Sequence, residues 1–282
     1  MTTQNQTPAT PDPVSPPRSP NTLRTVLLVV GSIVLAVILI GTAFRVAYSL
    51  NREDTSGTFS VAESFETIDL RTSAADVDIE FGDVDRPEIV FDQGGTNLRL
   101  DREVSGGVLT VTVGHPGWGW WGWGGDWWGE GATLQLTLPD SMAPDALGLE
   151  VDSTAGDVTV SGEFGDVTVE STAGNLRMTG AAENLDVATT AGEVRLNDVA
   201  VAGSFRSDST AGDGTFEFRT LPDSMDVHST AGDVRVVLPR GSYRIETDTT
   251  AGEVRQNVSS DRDAERVYRF ETTAGDIDLS ER

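Results

Sequence analysis

The hexapeptide Ser229-Thr230-Ala231-Gly232-Asp233-Val234 is the most informative feature of the sequence, because close copies of it recur along the C-terminal half of the chain. A degenerate copy upstream, Thr72-Ser73-Ala74-Ala75-Asp76-Val77, predicts a first repeat. The glycines of the seven full copies are separated by 18, 18, 20, 20, 20 and 23 residues; they are Gly156, Gly174, Gly192, Gly212, Gly232, Gly252 and Gly275. A period near 20 residues is typical of stacked repeat proteins.

Each turn is flanked by two short stretches in which apolar and polar residues alternate. In the third copy, Leu185 and Val187 precede the turn on either side of Asp186, and Val194 and Leu196 follow it. This period of two predicts half-buried strands, which must stack to bury their apolar faces. We therefore predict an all-β fold, a single-chain β-solenoid of seven to eight rungs within residues 59–282. A sandwich or barrel of short strands is the alternative, although neither requires one hexapeptide seven times.

The N-terminal part of the chain has a different composition. Residues 1–24 are rich in proline and polar residues, which predicts a disordered cytoplasmic tail. Residues 25–44, TVLLVVGSIVLAVILIGTAF, carry no charge and are long enough to cross a hydrocarbon core of ~30 Å. We predict one transmembrane helix here, in contact with the lipid bilayer, and a linker over residues 45–58. A cleaved signal peptide and a buried core helix are the alternatives.

The flanking charges do not decide the orientation of this span, because two arginines lie on each side of it. The span comes first in the chain, the tail before it is short, and the large acidic part follows it. These features favour a single-pass protein of the cell membrane with its C-terminal domain outside the cell.

Residues 114–131 form a loop of unusual composition between two predicted strands. It contains all six tryptophans of the chain, Trp118, Trp120, Trp121, Trp123, Trp127 and Trp128. One interpretation is that the rings pack onto the solenoid. The other is an exposed aromatic binding surface, because tryptophan is enriched at protein hot spots and membrane interfaces. The glycines of this loop match G-x-G-x-x-G only by chance, since no βαβ unit surrounds them.

Charge and composition exclude several classes of function. The formal net charge is −25 and every basic residue is an arginine, so we exclude nucleic acid as a partner. The chain has no cysteine, and its two histidines, His115 and His228, are not spaced as a metal-binding pair. We therefore predict that the protein is not an enzyme. A glycan-cleaving pair of carboxylates is the remaining catalytic alternative.

The repeats also predict a column of acids and one amide beside the glycines, formed by Asp157, Asn175, Glu193, Asp213, Asp233, Glu253 and Asp276. Stacked carboxylates repel one another unless solvent or cations screen them. We expect solvated acids and no cofactor. Calcium bound along the column is the alternative, although the G-G-x-G-x-D spacing of calcium-binding β-helix repeats is missing.

The repeated Ser/Thr-Thr-Ala-Gly-Asp-Val turn behind a single span resembles the bacterial putative-adhesin family of unknown function, also called toast-rack domains. The resemblance covers roughly residues 60–282. It implies a β-helix on a bacterial envelope protein and no catalytic residues. We therefore expect a membrane-anchored, adhesin-like binding module with an envelope protein or glycan as its partner. Similar domains occur in envelope-stress signalling proteins, which implies a sensory or regulatory ectodomain as the alternative.

Overall fold

A computed structural model of the protein describes residues 56–115 and 131–282. These residues form strands and one short 3-10 helix, Asp140–Asp145. In chain order the strands are β1 (Gly57–Ser60), β2 (Thr67–Thr72), β3 (Ala75–Gly82), β4 (Glu88–Asp92), β5 (Arg99–Ser105), β6 (Val108–Gly114), β7 (Ala132–Pro139), β8 (Gly148–Ser153), β9 (Val158–Glu163), β10 (Asp166–Ala173), β11 (Leu176–Ala182), β12 (Asn184–Ala191), β13 (Val194–Val201), β14 (Ser204–Ala211), β15 (Gly214–Phe218), β16 (Ser224–Ala231), β17 (Val234–Leu238), β18 (Arg244–Ala251), β19 (Val254–Asn257), β20 (Val267–Ala274) and β21 (Ile277–Glu281).

The strands form two long sheets that are parallel except at one end. Sheet A has the order β18-β20-β16-β14-β12-β10-β8-β2-β6-β5, and sheet B has the order β1-β4-β7-β3-β9-β11-β13-β15-β17-β21-β19. In every repeat the strand before the Ala-Gly turn joins sheet A and the strand after it joins sheet B. We call each such pair a rung. The predicted all-β stack of repeats is confirmed.

The core lies between the two sheets and is built from the alternating apolar residues. Val167 and Val169 on β10 are each 1% exposed, while Thr168 between them faces outward. Parallel pairing places like residues side by side, as Val169 beside Val187 in sheet A and Leu176 beside Val194 in sheet B. Burial therefore repeats from rung to rung in columns, which is how short strands acquire a shared core.

The order of rungs in space differs from their order in the sequence. The predicted first rung, β2–β3, does not lie at the end of the stack, because β6–β7 pairs with it on one side and β8–β9 on the other. With β6–β7 the residues described contain nine rungs, one more than the upper number predicted. The repeat motif did not reveal this rung, because residues 115–131 connect its two strands in place of a tight turn.

Antiparallel strands close the stack beyond β6–β7. Strands β5 and β6 form a hairpin with Gly106 and Gly107 at its turn, and they pair antiparallel. In sheet B, β4 pairs antiparallel with β7, and β1 pairs antiparallel with β4. The guanidinium of Arg102 on β5 lies 4.2 Å from the ring centroid of Phe59 on β1, and so links the two sheets at this end.

The predicted tail, transmembrane helix and most of the linker, residues 1–55, lie outside the described residues. Within residues 56–115 and 131–282, no helix has the length and apolar character needed to cross a membrane.

Candidate functional site

The Ala-Gly turns form one edge of the stack, which we call the glycine edge. Its glycines follow the spatial order Gly156, Gly174, Gly192, Gly212, Gly232, Gly275 and Gly252. Each has a positive φ, for example +135° at Gly192. A Cβ placed on Gly192 would lie 1.9 Å from the carbonyl oxygen of Gly174, so only glycine lets the rungs approach this closely.

The acidic column along the glycine edge is a hydrogen-bonded ladder between rungs. The backbone N–H of Asn175 donates to Asp157 Oδ1 at 2.9 Å, and the N–H of Glu193 donates to Asn175 Oδ1 at 3.0 Å. The same hydrogen bond recurs at the other rungs whose column residue is aspartate. Written with the accepting carboxylate first and the donating N–H second, the pairs are Asp76 and Asp157, Asp213 and Asp233, Asp233 and Asp276, and Asp276 and Glu253. The short Asp and Asn side chains therefore satisfy turn N–H groups that face the neighbouring rung.

The two glutamates behave differently from the aspartates in this column. Glu193 Oε1 binds Arg195 Nη2 at 2.6 Å, and Glu253 belongs to the outermost rung, where no further N–H follows. The hydrogen bond from the Asn175 N–H, together with the side chains of Asn175 and Arg177, holds the pKa of Asp157 below its usual value against the opposing effect of desolvation. The Asp and Asn side chains of the column thus already accept backbone donors, whereas the two glutamates do not.

In the part of the chain that the structure describes, no three His, Cys, Asp or Glu side chains are grouped so that they could hold a metal ion. Calcium at the glycine edge stays a prediction. His228 lies on the outer face of sheet A, with Nε2 2.8 Å from Asp226 Oδ1 and Nδ1 3.2 Å from Glu271 Oε2. His115 is exposed at the end of β6, far along the sheet order from His228.

The outer face of sheet A carries a concentration of carboxylates. Glu170 on β10 lies directly beside Asp152 on β8, and Glu150 and Asp186 are close neighbours. Desolvation and then the charges of these neighbours raise the pKa of Glu170. Desolvation also raises the pKa of Asp152 and Asp186. The carboxylates of this face would repel a polyanion, and the exclusion of nucleic acid stays a prediction.

The tryptophan-rich segment is connected to the glycine edge. In the neighbouring rung, Thr72 and Ala75 flank a tight turn, and these residues pair with Val113 and Ala132 of β6 and β7. Residues 115–131 thus connect two strands, whereas two residues connect the corresponding strands of the adjacent rung. The six tryptophans themselves lie outside the described residues, so their role as a binding surface stays a prediction.

Comparison with known proteins identifies the family of this fold. The Toastrack DUF4097 family matches residues 65–281. No curated protein matches the chain. Similar solved structures include a putative adhesin from Bacteroides fragilis, at 11% identity and a TM-score of 0.48, covering 80% of this chain and 96% of that one. A putative lipid binding protein from Parabacteroides distasonis has 12% identity and a TM-score of 0.39, covering 81% of this chain and 97% of that one.

None of these names is that of an enzyme. The family match spans the degenerate first turn and all seven full copies of the hexapeptide, so the resemblance drawn from the repeated turn is confirmed. The chain belongs to the Toastrack DUF4097 family.

Proposed function

We propose that the protein is a membrane-anchored binding module of the adhesin type, displayed outside the cell and without catalytic activity. The observation that carries the proposal is the place of residues 114–131, an insertion at one turn of a rigid stack. Insertions at a turn of a repeat scaffold are common binding elements, because the stack holds their ends while their sequence can vary. Six tryptophans in such an insertion provide apolar rings with polar N–H groups, which suits a protein or glycan of the envelope.

The test replaces all six tryptophans by alanine in the full chain and measures binding to purified cell-envelope fragments. We expect binding to fall at least tenfold while the β-type circular dichroism spectrum is unchanged. A matched control replaces exposed residues of the connection 258–266 by alanine, and this variant should bind like the parent. Equal binding by the tryptophan variant and the control would show that residues 114–131 are not the binding surface.

The alternative function is a sensory or regulatory ectodomain, favoured by the predicted span. A photo-crosslinking residue placed within residues 25–44 would then capture a membrane signalling protein in cells. Capture that survives the six-tryptophan replacement would favour the sensory role, and a span that crosslinks only to lipid would favour the adhesin.

A further inference from the structure

The rung β18–β19 interrupts the sequence order of the rungs that begins at β8–β9. The rung β16–β17 pairs directly with β20–β21 in both sheets. The rung β18–β19 lies outside them and pairs only with β20–β21. The chain therefore leaves the stack after Leu238, forms the outermost rung, and returns one rung inward at Val267. Without residues 239–266 the rungs from β8–β9 to β20–β21 would follow one another in sequence order.

This outermost rung is poorly buried compared with the rung that it covers. No residue of β18 is buried, all four residues of β19 are exposed, and Val254 is 39% exposed. Its inward positions are partly polar, with Thr247 beside Phe270 and Gln256 beside Leu279 of the covered rung. The covered rung, in contrast, has four large inward side chains that are 0% exposed: Tyr268, Phe270, Ile277 and Leu279.

The side-chain contacts that hold the outer rung are also weak. Its ion pairs to the covered rung, Arg269 Nη2 to Glu246 Oε2 at 3.2 Å and Arg255 Nη1 to Asp276 Oδ2 at 3.2 Å, join side chains that are about one third to one half exposed. Exposed ion pairs contribute little and are screened by salt. The outer rung itself is thus attached mainly by its backbone hydrogen bonds. Its two connections, residues 239–243 and 258–266, lie at one edge. The main apolar contact of the first connection is the buried ring of Tyr243, which stacks on Tyr268 with ring centroids 5.2 Å apart.

The end that this rung covers is complementary to a second copy of itself. If two copies of β20 pair antiparallel about Phe270, Arg269 of each copy lies opposite Glu271 of the other, which is a favourable cross-strand pair. Phe270 and Leu279 lie equally far from the turn, because Phe270 is four residues before Ala274 and Leu279 is four residues after Gly275. One twofold axis can therefore pass through both positions and pair β21 with its copy as well.

We propose that residues 239–266 are a lid that closes an apolar, self-complementary end of the solenoid. While the lid is closed, β20 and β21 have partners on both sides and their apolar side chains are buried. When the lid opens, the two strands present unpaired edges and the four apolar residues, and the occupant of that surface is a second copy of this chain. Unpaired, apolar strand edges are known templates for such pairing.

The test uses the absence of cysteine from the chain. In a lidless form of the full chain, Leu238 is joined to Val267 by a flexible linker of five residues, the length of the connection 219–223. Phe270→Cys in this form should give an intermolecular disulfide on oxidation, because antiparallel partners at one position lie within disulfide range. Two controls are Phe270→Cys with the lid present and Phe205→Cys, in the middle of the stack, in the lidless form.

We expect at least tenfold more disulfide-linked dimer in the lidless Phe270→Cys form than in either control. Equal dimer at positions 270 and 205, no dimer at 270, or loss of the β-type circular dichroism spectrum in the lidless form would overturn the proposal.

Native-state hydrogen exchange of the unmodified chain provides a second test that needs no deletion. The amides of β18 and β19 should exchange at least tenfold faster than those of β16 and β17, because the lid opens without global unfolding. Equal protection of the two rungs would show that no lid opens.

Discussion

Replacing Gly192 by alanine tests whether the close stacking of turns holds this fold together. Gly192 has a φ of +135°, which costs a residue with a Cβ about 2 kcal/mol. The added Cβ would lie 1.9 Å from the oxygen of Gly174, and the carbonyl of Gly192 itself faces Gly212. The backbone hydrogen bonds of both sheets hold the rungs at a fixed spacing, so the clash cannot relax freely. It should therefore lower the free energy of unfolding by about 2 kcal/mol more. We expect Gly192→Ala to lower the free energy of unfolding by about 4 kcal/mol in total.

Gly106→Ala is the matched control. Gly106 also has a positive φ, +60°, but no atom lies within 4 Å of the position its Cβ would take. Gly106→Ala then has only the cost of a positive φ, so we expect its free energy of unfolding to fall by about 1 kcal/mol. Urea denaturation followed by far-ultraviolet circular dichroism measures both variants. If Gly192→Ala cost no more than Gly106→Ala, the glycines would be present for turn conformation alone, and the argument from close approach between rungs would be wrong.

Three further predictions concern the ladder, the core and the response to pH. Asp233→Ala should lower stability by about 1 kcal/mol in the same assay, because a backbone N–H of the next rung loses its acceptor, whereas Asp233→Asn should keep most of that stability; equal losses would contradict the ladder. Gly214→Val would introduce the residue type that other rungs have at this position. We nevertheless expect it to lower the free energy of unfolding by about 2 kcal/mol, because the new Cβ would lie 2.7 Å from the ring of Phe216. A variant more stable than the parent would contradict this expectation. The backbone N–H of Asn175 holds the pKa of Asp157 below its unfolded value, so its contribution to stability is complete above about pH 4 and is lost as the pH falls through the folded pKa. The stability difference between the parent and Asp157→Asn should therefore be constant from about pH 7 to pH 5 and shrink only below about pH 4, as acid titrations at fixed urea would show; a change near neutral pH would contradict it.

Much of the fold could be predicted from local patterns. The alternation around Asp186 predicted strands, the hexapeptide predicted the turns, and their spacing predicted the stack. These features depend on neighbours within one repeat, so a single copy already contains the necessary information.

Less of the candidate site than of the fold could be predicted from the sequence. The acids beside the glycines were expected to be solvated. Asp157 and Asp233 are accessible to solvent, and they also accept backbone hydrogen bonds from neighbouring rungs. Periodicity placed these residues in one column but did not reveal whether their oxygens point to solvent or to an N–H. Side-chain length was the available signal, since the ladder uses Asp and Asn and is interrupted at Glu193.

A stack of short strands with small-residue turns along one edge could be predicted from the amino-acid sequence, because the alternation within one repeat indicates its strands and the Ala-Gly pair indicates its turn. The order of the rungs is seen only in the three-dimensional structure. The rung β20–β21, with Phe270 and Leu279 inward, lies beneath β18–β19, with Thr247 and Gln256 inward, although it follows in the chain. Every rung can pair with every other through the same backbone hydrogen bonds, so pairing alone does not select a neighbour. The order follows from how much apolar surface each position removes from water, and that quantity depends on the whole stack.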